Sequence, residues 1–391
     1  MLDDFAAGLE SKRVWLDRLP SRHSLLLTAS LQDWTMHLLR NLLIFSGLLV
    51  AGFASATEFS PVPLVARMTD VAKAPVPFDL VTLKRNWKQR IAAMRATGVM
   101  PILDIESNLD ENLDMQAFAR SMDAEGVALI AFSGHARGRG WSDAAKYAVA
   151  ADPWRYIPAG DGGLPPDWKR DPVAFAKISM ERVVKDGYPM LGEYEFRHYP
   201  SPDQIQRGQT NRDEDLPIDS PAAHLLFQFS SDTGISFQIH QEIEDKYLPP
   251  LEKMLTQYPK AKVIWSHLAQ MRYQARNTVY GPDYVRKLIE KHPNLYFDLF
   301  VGPPQHIYPS SNEYPGRYWD RSTGKLLPEW AKLISAHPWR FLAALDLNGM
   351  IMPTFAGRVR AQRGVLASLP ESVQEIVAYK AAWKLLFNEE L

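Results

Sequence analysis

The sequence predicts an α/β fold, and within that class a (β/α)8 TIM barrel. Two observations carry the prediction. Short apolar runs rich in β-formers, at 101–106, 127–132, 155–159, 189–195, 235–240, 262–267, 295–300 and 340–346, alternate with segments of helical composition. The alternation spans about 290 residues, the size and rhythm of such a barrel. The competing open, doubly wound sheet lacks its usual mark, because no Gly-rich dinucleotide turn follows any run.

Taken in order, residues 57–82 are rich in Pro and Ala without a period and read as an extended arm over the main body. Leu83 to Thr97 is helical in composition, with Trp87, Ile91 and Met94 near one face and Gly98 as the residue that ends it. Helices are predicted near 114–125, 172–186, 220–233, 249–258, 282–292 and 328–337, with a shorter one near 142–151. Long polar linkers at 133–143, 197–218 and 301–327 each follow the end of a strand, so in a barrel they lie over the active face. Pro370 to Phe387 is an amphipathic closing helix. The barrel domain is thus 101–391, preceded by an arm and helix over 57–100.

Residues 1–56 follow a different logic. From Met36 the chain has a short basic stretch ending at Arg40 and an apolar core from Leu42 to Phe53, then Ala54-Ser55-Ala56. That order describes a secretory signal with cleavage after Ala56, and makes Met36 the expected start. The apolar core is shorter than the roughly 20 residues of a membrane span. Export to a periplasm or medium is expected, or a membrane anchor if the segment stays uncleaved, with no stable span after cleavage.

Composition narrows the chemistry. The 391 residues carry a formal net charge of −1 and no Lys/Arg-rich run, which disfavours nucleic acid as a partner. A small-molecule substrate is the expected partner, and a homodimer is compatible with the sequence. With no cysteine, disulfides, thiolate zinc sites and Cys nucleophiles are excluded. Any metal must be held by His, Asp, Glu or Asn. Neither a Gly-x-Ser-x-Gly elbow nor a phosphate-cradling loop occurs.

Chemistry in a barrel of this kind sits at the C-terminal ends of the strands. The first strand ends Leu103-Asp104-Ile105-Glu106-Ser107-Asn108, the fifth in His240, the sixth in His267, and the eighth in Asp346. Residues two apart in a strand share a face, so Glu106 and Asn108 are expected to point together into the mouth. On the fourth strand the same rule groups Glu193, Glu195 and Arg197 opposite Tyr194 and Phe196. An internal Glu–Arg pair is the economical reading. The functional reading makes one Glu a ligand or acid and Arg197, with Glu195, a substrate contact. Arg137 and Arg139, in the loop His135 to Trp141, are either guanidinium donors for a carboxylate or part of an exposed, solvated loop. Tyr308, Tyr314, Tyr318 and Trp319 give the 301–327 linker aromatic faces suited to an organic substrate or to packing.

This ordered set resembles the amidohydrolase superfamily, in its amidohydrolase-related branch, which includes metal-dependent hydrolases and non-oxidative decarboxylases. The resemblance covers roughly residues 100–388. It rests on the first-strand motif, "IH" at His240, "WSH" at His267, "LD" at Asp346 and the closing helix from Ile376 to Leu386. It departs from the family at the first strand, where Glu106-Ser107-Asn108 stands in place of His-x-His. A carboxylate in the first position is similar to the decarboxylase-like members. A carboxamide in the second is a weaker, neutral ligand.

The resemblance implies one divalent ion, zinc or manganese, held by Glu106, His240, Asp346 and Asn108. It implies Asp346 as general base and His267 as the group that polarises the substrate carbonyl or bridges to the metal. The expected activity is hydrolysis of an amide, ester or lactone in a small organic molecule. Decarboxylation of an aromatic or enoic acid is the same-fold alternative, and a metal-free, non-catalytic binding protein the alternative from another class.

Overall fold

The computed structural model describes residues 57–71, 78–110, 112–135, 143–269, 272–300, 302, 307–308, 312, 318–348 and 352–391. The expected signal segment within 1–56 lies outside them, as do Arg137, Arg139 and Tyr314.

Eight parallel strands form the body: β1 (Ile102–Ser107), β2 (Val127–His135), β3 (Tyr156–Gly162), β4 (Met190–His198), β5 (Ser236–Gln241), β6 (Val263–Trp265), β7 (Leu295–Asp298) and β8 (Phe341–Leu342). Each pairs with the next in sequence from β1 through to β8. β8 returns to β1 through Ile105 N–H donating to Ala343 O at 3.0 Å, Asp346 N–H to Glu106 O at 2.9 Å and Asn108 N–H to Leu347 O at 2.6 Å. Asp104, fully buried, strengthens this seam by accepting from Leu345 N at 2.8 Å. The result is the nearly closed (β/α)8 barrel that the alternation predicts.

Helices fill the gaps between strands. α1 (Leu80–Ala96) precedes the barrel and buries Leu83, Trp87, Arg90, Ile91 and Met94 along one stripe. α2 (Met115–Glu125), α3 (Ala144–Ala151), α4 (Pro172–Asp186), α5 (Pro221–Thr233), α6 (Leu248–Gln257), α7 (Pro282–Lys291), α8 (Pro328–Ala336) and α9 (Phe355–Leu366) follow. Helix ends set where the site-bearing strands begin. α4 starts on the Asp171 side chain, which caps Ala174 N, and stops at Gly187 in the left-handed region, just before β4 begins at Met190. α5 does the same between Ser220 and Gly234, launching β5.

The arm is tied down by a buried ionic knot. Arg90 meets Asp123 at 2.6 Å, and Arg155 meets Asp123 at 2.9 Å and Asp152 at 3.0 Å. The same guanidiniums reach Ser60 Oγ and Pro61 O in the arm at 2.7 and 3.0 Å. At the chain's other end, 371–387 is one helix interrupted by a π turn at Ile376–Lys380. The widened turn leaves the Val377 carbonyl to accept from Ala343 N at 3.1 Å, locking the helix to β8. No helix among the described residues is long and apolar enough to cross a membrane.

Strand lengths depart from expectation where chemistry gathers. The sixth and eighth strands stop at Trp265 and Leu342, short of the predicted 267 and 346. His267 and Asp346 therefore sit in the turns beyond their strands, at φ 60° and 45°. These are left-handed conformations that cost a non-glycine residue energy.

Candidate metal centre

β1, β4, β5 and β7, together with the turns after β6 and β8, converge at the C-terminal mouth. Glu106 leaves β1 with 3% exposure, His240 leaves β5 with 4%, and Asp298 ends β7 fully buried. His267 lies between them: its Nδ1 is 3.5 Å from Glu106 Oε2 and 3.9 Å from Asp298 Oδ1. Its Nε2 faces Glu193 Oε1 at 3.4 Å. The same Glu193 oxygen takes His240 Nδ1 at 2.8 Å. One carboxylate thus orients both imidazoles, and their remaining nitrogens face opposite ways. His267 Nδ1 faces Glu106 and Asp298, whereas His240 Nε2 faces Glu242 Oε1 at 3.3 Å.

Among the described residues, three sets of side chains bring their ligand atoms within 4.8 Å of one another: Glu106/His267/Asp298, Glu193/His240/His267 and His198/His240/Glu242. The first set fits a divalent cation on its own terms. Glu106 Oε1 and Oε2, His267 Nδ1 and Asp298 Oδ2 are all buried without a hydrogen-bond partner. Buried carboxylate oxygens with no donor are expensive unless a cation or proton compensates them. Arg358 offers these oxygens little compensation, since its Nη1 stands 3.9 Å from Asp346 Oδ2 and donates to the Leu345 carbonyl at 2.6 Å.

The electrostatics agree. Burial first, then Asp298, Glu193 and Asp346, push the Glu106 carboxyl well above the usual range. Burial likewise raises Asp298 and Asp346, with His267 opposing in both. Glu193 is held well below its ordinary value in spite of burial, because His240 and His267 favour its charge. Against the same cost of burial, Glu193 and Glu242 lift His240 to about 10, and Glu193 and Asp298 raise His267. The pocket collects protons where it has no other cation.

The predicted residues divide. Glu106, His240, His267 and Asp346 meet at the mouth, with Asp346 beside the cluster rather than within any of the three sets. Asn108 does not join Glu106: its carboxamide oxygen accepts from Ser133 Oγ at 2.6 Å. Glu195 is buried and pairs with Arg212 instead of Arg197, and burial pushes its carboxyl up to about 7 against the pull of Arg212. Arg197 sits where β4 pairs with the short strand Glu214–Asp215. It bonds Asp213 at 2.7 Å and lies 3.3 Å over the Tyr199 ring. Arg137 and Arg139 lie outside the described residues.

Asp298, Glu242, His198, Arg272 and Arg358 are the site residues that sequence reasoning did not single out. Asp298 carries a usable signal, an apolar strand ending on an acid, but the expected strand 295–300 runs two residues past it. Alternation groups Glu193 with Glu195 and Arg197 and leaves open which Glu is the ligand or acid; the structure sets Glu193 between the two imidazoles.

Fold and site together define a (β/α)8 barrel whose strand-end mouth is rich in acids and imidazoles. No family model matches the sequence, and no curated protein matches it. Solved structures resemble it. An uncharacterized TIM-barrel protein from Bordetella bronchiseptica shares 14% identity, covering 73% of this chain and 98% of that one, with a TM-score of 0.47. The 5-carboxyvanillate decarboxylase of Sphingomonas paucimobilis shares 15%, covering 73% and 99%, at 0.42. Amidohydrolase 2 from Bifidobacterium longum shares 12%, covering 73% and 98%, at 0.42. At these identities the likeness is one of fold.

Proposed function

We propose that this protein is an exported hydrolase of the amidohydrolase-related kind, acting on an amide, ester or lactone in a small organic substrate with the help of one divalent cation. The observation that carries the reading is the convergence of unpartnered, buried ligand atoms from Glu106, His267 and Asp298 at the barrel mouth. Two carboxylates and an imidazole suit manganese or zinc. When bound, such an ion supplies Lewis acidity to a carbonyl and lowers the pKa of the water it holds to about 7.

The chain's own groups supply the rest. Glu193 accepts from His240 Nδ1 and faces His267 Nε2, fixing which nitrogen of each ring faces its pocket. In this reading Asp346 takes a proton from attacking water on its carboxylate and returns it to the leaving group. Its left-handed backbone is held by Arg358, which donates to the Leu345 and Asp346 carbonyls. Arg272, 3.0 Å from Glu242 and 4.4 Å over the Tyr308 ring, puts a fixed positive charge near the mouth for an anionic substrate group.

Non-oxidative decarboxylation is the second reading, favoured by the oxygen-rich ligand set. There the raised carboxyl of Asp346 would deliver a proton to the carbon that gives up CO2.

The test is metal analysis of the purified protein beside Glu106→Gln and Asp298→Asn. Near-stoichiometric zinc or manganese, lost in both variants, is the expected result, followed by product analysis on amides, lactones and aromatic acids. A chain that takes up no divalent ion even after reconstitution would overturn the enzyme reading in favour of a metal-free binding protein. Export has its own test: mass spectrometry of secreted or periplasmic material should find the N-terminus at Thr57, and an intact Met1 in the cytoplasm would refute it.

A further inference from the structure

We propose that Asp104 and Ser107 are positioning residues: from β1 they hold the turn of Leu345, Asp346 and Leu347 and thereby aim the Asp346 carboxylate. The proposal rests on the role given to Asp346 above, but the hold itself needs no cation. Both side chains are buried, so they act through the backbone of the turn rather than on a substrate. In a regular strand, residues three apart point to opposite faces. The register of β1 against β2 slips between Asp104 and Ser107, and across that irregularity Ser107 Oγ donates to Asp104 Oδ2. The two polar side chains thus work as one unit.

The turn they meet has every backbone group engaged. β8 ends at Leu342, and Asp346 lies beyond it at φ 45°. A left-handed aspartate persists where its surroundings over-determine it. On the amide side, Leu345 N–H donates to Asp104 Oδ1 at 2.8 Å, Asp346 N–H to Glu106 O at 2.9 Å and Leu347 N–H to Ser107 Oγ at 3.0 Å. On the carbonyl side, Leu345 and Asp346 accept from Arg358 Nη1, and Leu347 accepts from Asn108 N–H at 2.6 Å. Two of the three amides therefore end on side chains, where a strand pair would use carbonyls. Asp104 Oδ1 also accepts from Glu106 N at 3.1 Å, so one buried carboxylate sets the backbone of both mouth acids, Glu106 and Asp346. The turn after β6 is built the same way. There His267, at φ 60°, donates its N–H to Asp298 Oδ1 at 2.8 Å.

The experiment compares Ser107→Ala, Ser107→Thr and Asp104→Asn with the wild type, each as the chelator-stripped full chain. Crystal structures read the Asp346 backbone, and hydrogen–deuterium exchange reads the peptide 343–348. Ser107→Ala leaves the Leu347 amide without its acceptor, and Asp104→Asn leaves one acceptor oxygen for three donors. In Ser107→Ala, exchange over 343–348 should rise at least ~10-fold while the other strands stay within ~2-fold of wild type. Asp346 should leave the left-handed region, and Ser107→Thr, which keeps the hydroxyl, should restore both readouts. Asp104→Asn should loosen the same peptide. On whichever compound product analysis shows to be turned over, Ser107→Ala should lower kcat by ~10–100-fold at unchanged KM, with recovery in Ser107→Thr. Wild-type exchange and an unmoved Asp346 in both Ser107→Ala and Asp104→Asn would overturn the proposal, whether or not the chain takes up a cation. Faster exchange spread over the whole barrel would mark the pair as core packing and overturn it too. A displaced Asp346 with undiminished kcat would uphold the hold on the turn and overturn the catalytic role given to Asp346.

Discussion

Replacing Asp123 by Ala should destabilise the fold through the knot that anchors the arm. The side chains of Arg90, Arg155 and Asp123 are at most 1% exposed, and both guanidiniums bond the single carboxylate. After the change, Arg155 keeps Asp152, and Arg90 keeps only the neutral Ser60, Val127 and Ala128 oxygens. Two buried cations then face one anion, and an uncompensated buried charge costs about 3–5 kcal/mol. At roughly 2 °C per kcal/mol for a chain of this size, the midpoint of thermal unfolding should fall by about 6–10 °C. Circular dichroism melts and urea titrations with an unchanged slope would measure it. The double variant Arg90→Met/Asp123→Ala restores charge balance and should recover most of the loss. A loss under about 1 kcal/mol, or a double variant no more stable than the single one, would refute the charge argument.

Other consequences follow from the same geometry. A divalent ion at about 100 times its Kd should stabilise the wild type by about 2.7 kcal/mol, and thermal melts of Glu106→Gln should show little of that gain. Asp346→Asn keeps a side chain that tolerates the left-handed backbone, so stability should change by under ~0.5 kcal/mol while turnover falls at least ~100-fold. A melt shifted as far as the activity would argue for a structural role instead. Gly192→Ala places a Cβ 2.6 Å from the Gly160 carbonyl oxygen and 2.9 Å from Ser133 Cβ. That crowding between β3, β4 and β2 should cost about 1–3 kcal/mol in urea unfolding, and a neutral result would mean the strands shift freely.

Much of the barrel is legible in one dimension because its signals are local. Apolar runs that end on Glu106, His240 and His267, and caps such as Asp171 and Ser220, are properties of a few adjacent residues. The departures from expectation share a physical cause. Arg197 and Arg212 are both plausible partners for Glu195 by charge alone, and only the path of the 199–213 segment brings Arg212 back to it. Asn108 lies two residues from Glu106, but a twisted strand end gives its carboxamide to Ser133 instead. Asp298 was hidden by a boundary error of two residues, which at a strand end decides whether an acid faces the pocket or the core.

The sequence alone determined the alternation of eight strands with helices, the absence of thiol chemistry and the presence of His and carboxylate groups at strand ends. Those follow from residue type and period, which need no long-range contact. Only the tertiary structure decided which groups meet. Closing the barrel brings β1 beside β8 and sets Glu106 against His267 and Asp298, residues far apart in the chain. It also places Glu193 between two imidazoles, so that one carboxylate sets the direction of both. Spacing along a chain cannot encode that arrangement, because it depends on strand order, stagger and the turns past each strand end.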